Sequence, residues 1–111
     1  MDDGIKTWLY DIGKAIEEIE RFLDNGPKCF ADYSKNVLVK RAVERNVEII
    51  GEATNRILKA DSTVPISNAR KIVDVRNRII HGYDIVSDET IWDIAIRHLP
   101  VLKSEIARLL Q

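Results

Sequence analysis

Cysteine is nearly absent. Cys29 is the only one in 111 residues, so no internal disulfide can brace the chain, and a reducing cytoplasm is the expected compartment. Three prolines and five glycines interrupt the chain rarely, and they fall between stretches of helical rather than strand periodicity. Charged residues break every apolar stretch well short of the ~18 residues that a membrane span requires. The opening Met1-Asp2-Asp3-Gly4 is acidic where a secretory leader carries positive charge, so neither secretion nor membrane insertion is expected. No glycine-rich phosphate loop is present, which disfavours an autonomous nucleotide hydrolase. The histidines are two, His81 and His98, and with one cysteine they do not make a zinc-ligand set within one chain; no metal or cofactor is expected. Nor does one sign of charge dominate. Seventeen Lys and Arg against eighteen Asp and Glu leave a formal charge of -1, so any nucleic-acid site must be local.

What is present is an ordinary folded composition, 45% hydrophobic and 32% charged. One domain over residues 1–111 is the natural reading, long enough to bury roughly two-thirds of its unfolded surface. Ile5, Trp8, Leu9, Ile12, Ile16, Ile19 and Leu23 recur at helical spacing, and Asn25-Gly26-Pro27 ends that first helix. The spacing predicts a long second helix from about Ser34 to Lys59. Its apolar face is too wide for one neighbour, so it either sits centrally or contributes to a subunit interface. Ser67 is the expected cap of a third helix through Ile80, with Gly82 as its left-handed end. Ser87 caps a fourth, and Pro100 either kinks it or starts a final helix. The fold class is all-α, a bundle of four to five helices.

The third helix carries the anomaly. With Ile72 as origin and about 100° per residue, Val73 falls at ~100°, Ile79 at ~340°, Ile80 at ~80° and Ala69 at ~60°. Arg76 falls at ~40°, inside this apolar arc. A guanidinium there is expensive unless it is paired or opens onto a cleft, because it cannot shed its charge. One reading is a structural arginine paired with a buried carboxylate; the other is a functional cation. His81 closes the same helix, with Asn77 one turn earlier, where the two side chains can hydrogen-bond. On a regular helix Arg76 and His81 lie about 140° apart. Either the helix distorts near Gly82, or a second subunit completes the site. Between Asn68 and His81, Arg70, Lys71, Arg76 and Arg78 face Asp74 alone. Such a patch attracts phosphate, although it is also the ordinary polar face of an amphipathic helix.

The segment Arg76-Asn77-Arg78-Ile79-Ile80-His81-Gly82-Tyr83 resembles the signature of the HEPN superfamily, the higher eukaryotes and prokaryotes nucleotide-binding domains. Its four-residue spacer, with a tyrosine two beyond the histidine, is similar to the HepT-like toxin branch. Arg41 to Ala53 also resembles that branch's long helix, and Trp92 and Leu99-Pro100 its last one. The resemblance spans nearly the whole chain. It implies a HEPN-type bundle acting as a symmetric homodimer, and a metal-independent endoribonuclease. Such an enzyme is the toxin of a type VII-like toxin–antitoxin pair whose partner is a small nucleotidyltransferase antitoxin. In that family the antitoxin can transfer AMP to the motif tyrosine, here Tyr83. The chemistry fits the residues: RNA brings its own 2′-hydroxyl nucleophile, His81 can move the proton, and Arg76 can hold the phosphate. Asn77 would orient His81 or touch phosphate, and Arg78 would support phosphate binding.

Cys29 reads as a small packing residue, and His98 as a helix-surface residue without a role. Two rivals to the enzyme remain. One is a non-catalytic nucleotide- or RNA-binding module that keeps Arg76 and His81 as phosphate ligands. The other is a helical dimerisation protein with a structural arginine.

Overall fold

Apolar residues every three to four positions give α1 (Asp3–Asp24), a stripe whose Leu9, Ile12, Ile16 and Ile19 are all buried. The structure is a computed structural model that describes residues 1–82 and 86–111, and all regular structure among them is helical. After α1 come α2 (Phe30–Lys35), α3 (Val37–Ala60), α4 (Ala69–His81), α5 (Asp88–Asp93), a π-helical turn over Ile94–His98 and α6 (Leu99–Leu109). Among the described residues no helix is long and apolar enough to cross a membrane.

The helix starts follow from local hydrogen bonds. Asp2 accepts from the backbone N–H of Gly4 at 2.7 Å and of Ile5 at 3.2 Å, which satisfies two donors that α1 leaves open. The single long helix expected from Ser34 is instead two, α2 and α3. Asn36 leaves the helical region (φ -97°, ψ 89°) and its Oδ1 accepts from Val39 N–H at 3.0 Å, so it caps a new helix rather than continuing the old one. Ser67 likewise does not cap α4. Its N–H and Oγ bind the Glu105 carboxylate on α6, at 3.1 and 2.5 Å, and Asn68 takes the cap position in the left-handed conformation, φ 58°, which asparagine tolerates better than most residues. Gly82 ends α4 with φ 65°, as expected, and Ser87 Oγ accepts from Thr90 N–H at 3.2 Å to start α5.

Pro100 neither breaks nor sharply ends the last helical stretch. The preceding turn widens so that Leu99 N–H reaches back to the Ile94 carbonyl, and Pro100 then occupies the first turn of α6, where its missing donor is least needed. The widened turn also corrects the expectation for His98. Its ring is largely covered, with Nδ1 3.2 Å from Asn68 Nδ2 and Nε2 3.3 Å from Lys71 Nζ and 3.4 Å from Asp93 Oδ2.

α3 is the central element, packed against α1, α2, α4 and α5. Val43, Val47, Ile50 and Ile57 on α3 share one core with Leu9, Ile12 and Ile16 of α1 and with Ile72 and Val75 of α4. Ile91, Ile94, Leu99, Leu102 and Ile106 close it from the C-terminal end. Phe30, Tyr33 and Trp92 stack between α2 and α5, with the Tyr33 and Trp92 rings 5.0 Å apart. Tyr33 is buried there, and burial, then Asp88 and Glu44, pushes its phenol well above the usual tyrosine range. The molecule measures 41 × 31 × 18 Å, and its thinnest dimension is less than two helix diameters of ~10–12 Å.

Truncating Ile50, which is wholly buried at the α1–α3 contact, to alanine should lower the unfolding free energy by about 2–5 kcal/mol. Asn36→Ala should lower it by about 0.5–2 kcal/mol through loss of the cap. Urea denaturation measures both, and an unchanged midpoint for Asn36→Ala would show that α3 starts without that cap.

Candidate functional site

The close crossing of α3 and α4 sets the position of Arg76. A Cβ added at Gly51 would overlap Arg76 Cβ and fall 2.9 Å from its Cγ and 3.1 Å from the Ile72 carbonyl oxygen. Glycine is thus required where the two backbones meet. Arg76 leaves this crossing with its stem against α3 and its guanidinium toward Glu52, the next residue along α3. Nη2 forms an ion pair with Glu52 Oε2, and Nη1 donates to Asn77 Oδ1 at 2.9 Å. Nε is buried without a hydrogen-bond partner among the described residues. Glu52 holds a second cation as well, accepting from Arg56 Nε at 3.0 Å through its other oxygen.

Arg76 is paired with a carboxylate and also lines a cleft. That cleft, of about 290 Å³, lies between α1, α3 and α4, with Trp8, Asp11, Glu48, Glu52, Arg76 and Ile80 in its lining. Only 21% of the Arg76 side chain is exposed, so its charge faces a restricted opening rather than bulk solvent. Ile80, one turn along, lies in the arc that periodicity assigns to the core. It is exposed at the cleft edge instead.

The other sequence-predicted residues fall in different places. Asn77 is half-buried and bonded to Arg76. His81 is exposed in the last turn of α4, which stays helical up to the Gly82 cap, where Gly82 N–H reaches the Arg78 carbonyl at 3.0 Å. The helix end therefore does not distort enough to swing His81 onto the Arg76 face, and the two remain about 140° apart around the axis. Arg78 is exposed on the far flank of α4, lining a separate depression with Lys71, Asp74 and Thr90. Tyr83 lies outside the described residues. The basic segment is partly neutralised in place, since Glu52 pairs with Arg76 and Asp93 lies 3.7 Å from Lys71; Arg70 and Arg78 remain as exposed cations. Among the described residues no group of three or more His, Cys, Asp or Glu side chains is placed to hold a metal ion.

Sequence reasoning gave no role to Gly51, Glu52 or Trp8. The signal for the first two was an isolated glycine inside a helical pattern, which marks close backbone approach, beside a carboxylate. Trp8 sits on the apolar stripe of α1 and reads as core, yet it is only half-buried and lines the cleft.

A family model described as ribonuclease HepT-like matches residues 12–109. Among curated proteins, a candidate RNase of Methanocaldococcus jannaschii is 31% identical over 108 residues, 96% of this chain and 88% of the relative. A protein of Thermococcus cleftensis named a probable ribonuclease HepT is 33% identical over 105 residues, 94% of each. A candidate RNase of Caldanaerobacter subterraneus is 33% identical over 86 residues, 74% of each. No solved structure gives a significant match.

Gly51→Ala separates propensity from packing. Inside an isolated helix the change gains up to about 1 kcal/mol; here the overlap with Arg76 should reverse the sign and destabilise the fold by about 1–3 kcal/mol. A raised melting temperature in Gly51→Ala would show that α3 and α4 do not meet at this residue.

Proposed function

Because the chain belongs to the HepT-like ribonuclease family, we propose that it is an endoribonuclease toxin in which Arg76 and His81 act on one RNA phosphate. The observation that carries this reading is Arg76 itself, a guanidinium held by Glu52 and Asn77 at the mouth of a cleft, on the helix that ends in His81. His81 takes the proton from the 2′-hydroxyl, the 2′-oxygen attacks phosphorus, and the 5′-oxygen leaves with a proton returned from imidazolium. The products are a 2′,3′-cyclic phosphate and a 5′-hydroxyl. Arg76 offsets the charge that develops on the phosphorane oxygens, and its five fixed donors match those oxygens better than an ammonium would. This scheme asks no metal to supply the nucleophile. Asn77 fixes the Arg76 guanidinium, and Arg78, on the other flank of α4, meets a neighbouring phosphate of the same strand.

The active unit we infer is a homodimer. Arg76 and His81 diverge around a regular helix, and a body 18 Å thick has little depth in which to enclose a phosphate. A second α4 across a two-fold axis brings a second pair of these residues to the same place.

Regulation in this reading comes from a small nucleotidyltransferase antitoxin that transfers AMP to Tyr83. Tyr83 directly follows Gly82 in sequence, and an adenylyl group on it would add negative charge and bulk that oppose RNA binding. Both proteins act in the cytoplasm.

Purified protein incubated with total tRNA should cleave it equally with and without EDTA, and Arg76→Ala and His81→Ala should each reduce cleavage by at least about 100-fold. Cleavage abolished by EDTA contradicts the metal-free scheme. Equal cleavage by wild type and both variants marks a contaminant and ends the catalytic reading. Tight RNA binding without cleavage favours a binding module. After co-expression with the antitoxin, mass spectrometry should find AMP on Tyr83; a fully neutralised complex with unmodified Tyr83 rules out that mode of control.

A further inference from the structure

The charge in the cleft beside Arg76 is not that of a site built for phosphate alone. Along its α3 floor, Arg45 is paired with Glu48 at 3.0 Å and Arg56 with Glu52 at 3.0 Å, and Arg76 also pairs with Glu52. Every arginine lining the cleft thus has a carboxylate partner. Asp11, on the α1 wall, is left over: it is exposed and makes no ion pair or hydrogen bond among the described residues. The three arginines and three carboxylates of the lining balance, and the carboxylate among them without a partner, Asp11, is the one able to accept hydrogen bonds from N–H groups of a ligand.

Its uncharged lining is apolar: Trp8, Ile49, Ala53 and Ile80. Trp8 stands three residues before Asp11 on α1, so both side chains share one helix face. The indole is half-buried and packed against the core, which fixes the orientation of its exposed side before any ligand arrives. Ile80 faces it from α4. The space of about 290 Å³ admits a flat ring system.

From this arrangement, and resting on the ribonuclease reading, we propose that the cleft is a nucleobase subsite. The base next to the phosphate held by Arg76 stacks on Trp8 and presents its pairing edge to the Asp11 carboxylate. Two adjacent N–H donors satisfy one carboxylate best, and of the four RNA bases guanine alone offers them, at N1 and N2. Cytosine and adenine place a ring-nitrogen acceptor beside their amino group, which a carboxylate repels, and uracil has a single donor between two carbonyls. The subsite therefore selects guanine at one side of the scissile phosphate.

Trp92→Phe makes Trp8 the only tryptophan, so its emission reports on the cleft directly. The probes are the dinucleoside monophosphates GpA, ApA, CpA and UpA, with a 2′-O-methyl group on the first ribose to prevent cleavage. GpA should quench Trp8 emission with a Kd about tenfold or more below the others. Asp11→Asn, a change at an exposed residue, should keep the quench and bring all four probes within about threefold of one another. Absence of quenching, or equal affinity for the four bases in the protein that retains Asp11, overturns the subsite. Emission that follows protein concentration and ignores the probes means that a second copy fills the cleft, which also overturns it. Cleavage of tRNA by Trp8→Ala at unchanged positions and unchanged rate overturns the subsite and leaves the ribonuclease reading standing. A guanine preference in a protein that cleaves no RNA supports the subsite and removes the ribonuclease.

Discussion

An arginine cannot release its charge, so one placed on the core-facing side of a helix dictates what must surround it. In this chain the answer to Arg76 is local and complete on one side only. Gly51 removes the side chain that would block its stem, Glu52 supplies the opposite charge, and Asn77 accepts from the guanidinium. The α3–α4 crossing, the cleft and the orientation of the conspicuous end of α4 all follow from seating that one group. Pairing with a carboxylate is not the end state of a phosphate-binding arginine. In the proposed reading a phosphate would compete with Glu52 for the same donors, and the carboxylate would keep the guanidinium ordered until it arrives. Because Glu52 also holds Arg56, its charge is not stranded when Arg76 turns to a ligand.

Helix geometry then separates the two residues on which the proposed chemistry rests. A regular α4 carries Arg76 to the cleft and His81 to the exposed last turn, about 140° away. The short chain folds into a slab, well packed around α3 but without depth, and this gives the dimer proposal its physical motive: the missing wall is another copy of the same helix. The near-neutral total charge has a related origin. Arg45, Arg56 and Arg76 are each matched by a carboxylate of α3, while Arg70 and Arg78 on α4 stay exposed.

Much of the fold was legible in the sequence because amphipathic spacing is a property of each helix taken alone. The Gly82 and Ser87 boundaries were legible for the same reason. The errors fall where a side chain chooses between two local partners. Asn36 could continue a helix or cap the next one, and Ser67 could cap α4 or bind a carboxylate; tertiary contacts made each choice, whereas Pro100 stands in the first turn of the final helix, one of the two places the sequence allowed it. At the site, angular position alone singled out Arg76, since an apolar arc makes a buried charge conspicuous. Glu52 escaped notice because a glutamate four residues before an arginine reads as an ordinary surface pair, and only the α4 crossing reveals its second partner. Trp8 escaped because a half-buried tryptophan and a buried one give the same periodicity. The role of His98 in joining Asn68, Lys71 and Asp93 depended on a π-helical turn that periodicity does not register.

The central claim is that Arg76 and His81 serve one phosphate from different copies of the chain, and subunit mixing tests it most directly. Arg76→Ala and His81→Ala proteins, each inactive alone, are combined under conditions where native mass spectrometry shows exchanged subunits. A shared site predicts recovery of about a quarter of wild-type RNA cleavage, since half of randomly reassociated dimers are mixed and each mixed dimer carries one intact pair. Mixed dimers that form and remain inactive would contradict the account and place both residues of each site within a single chain.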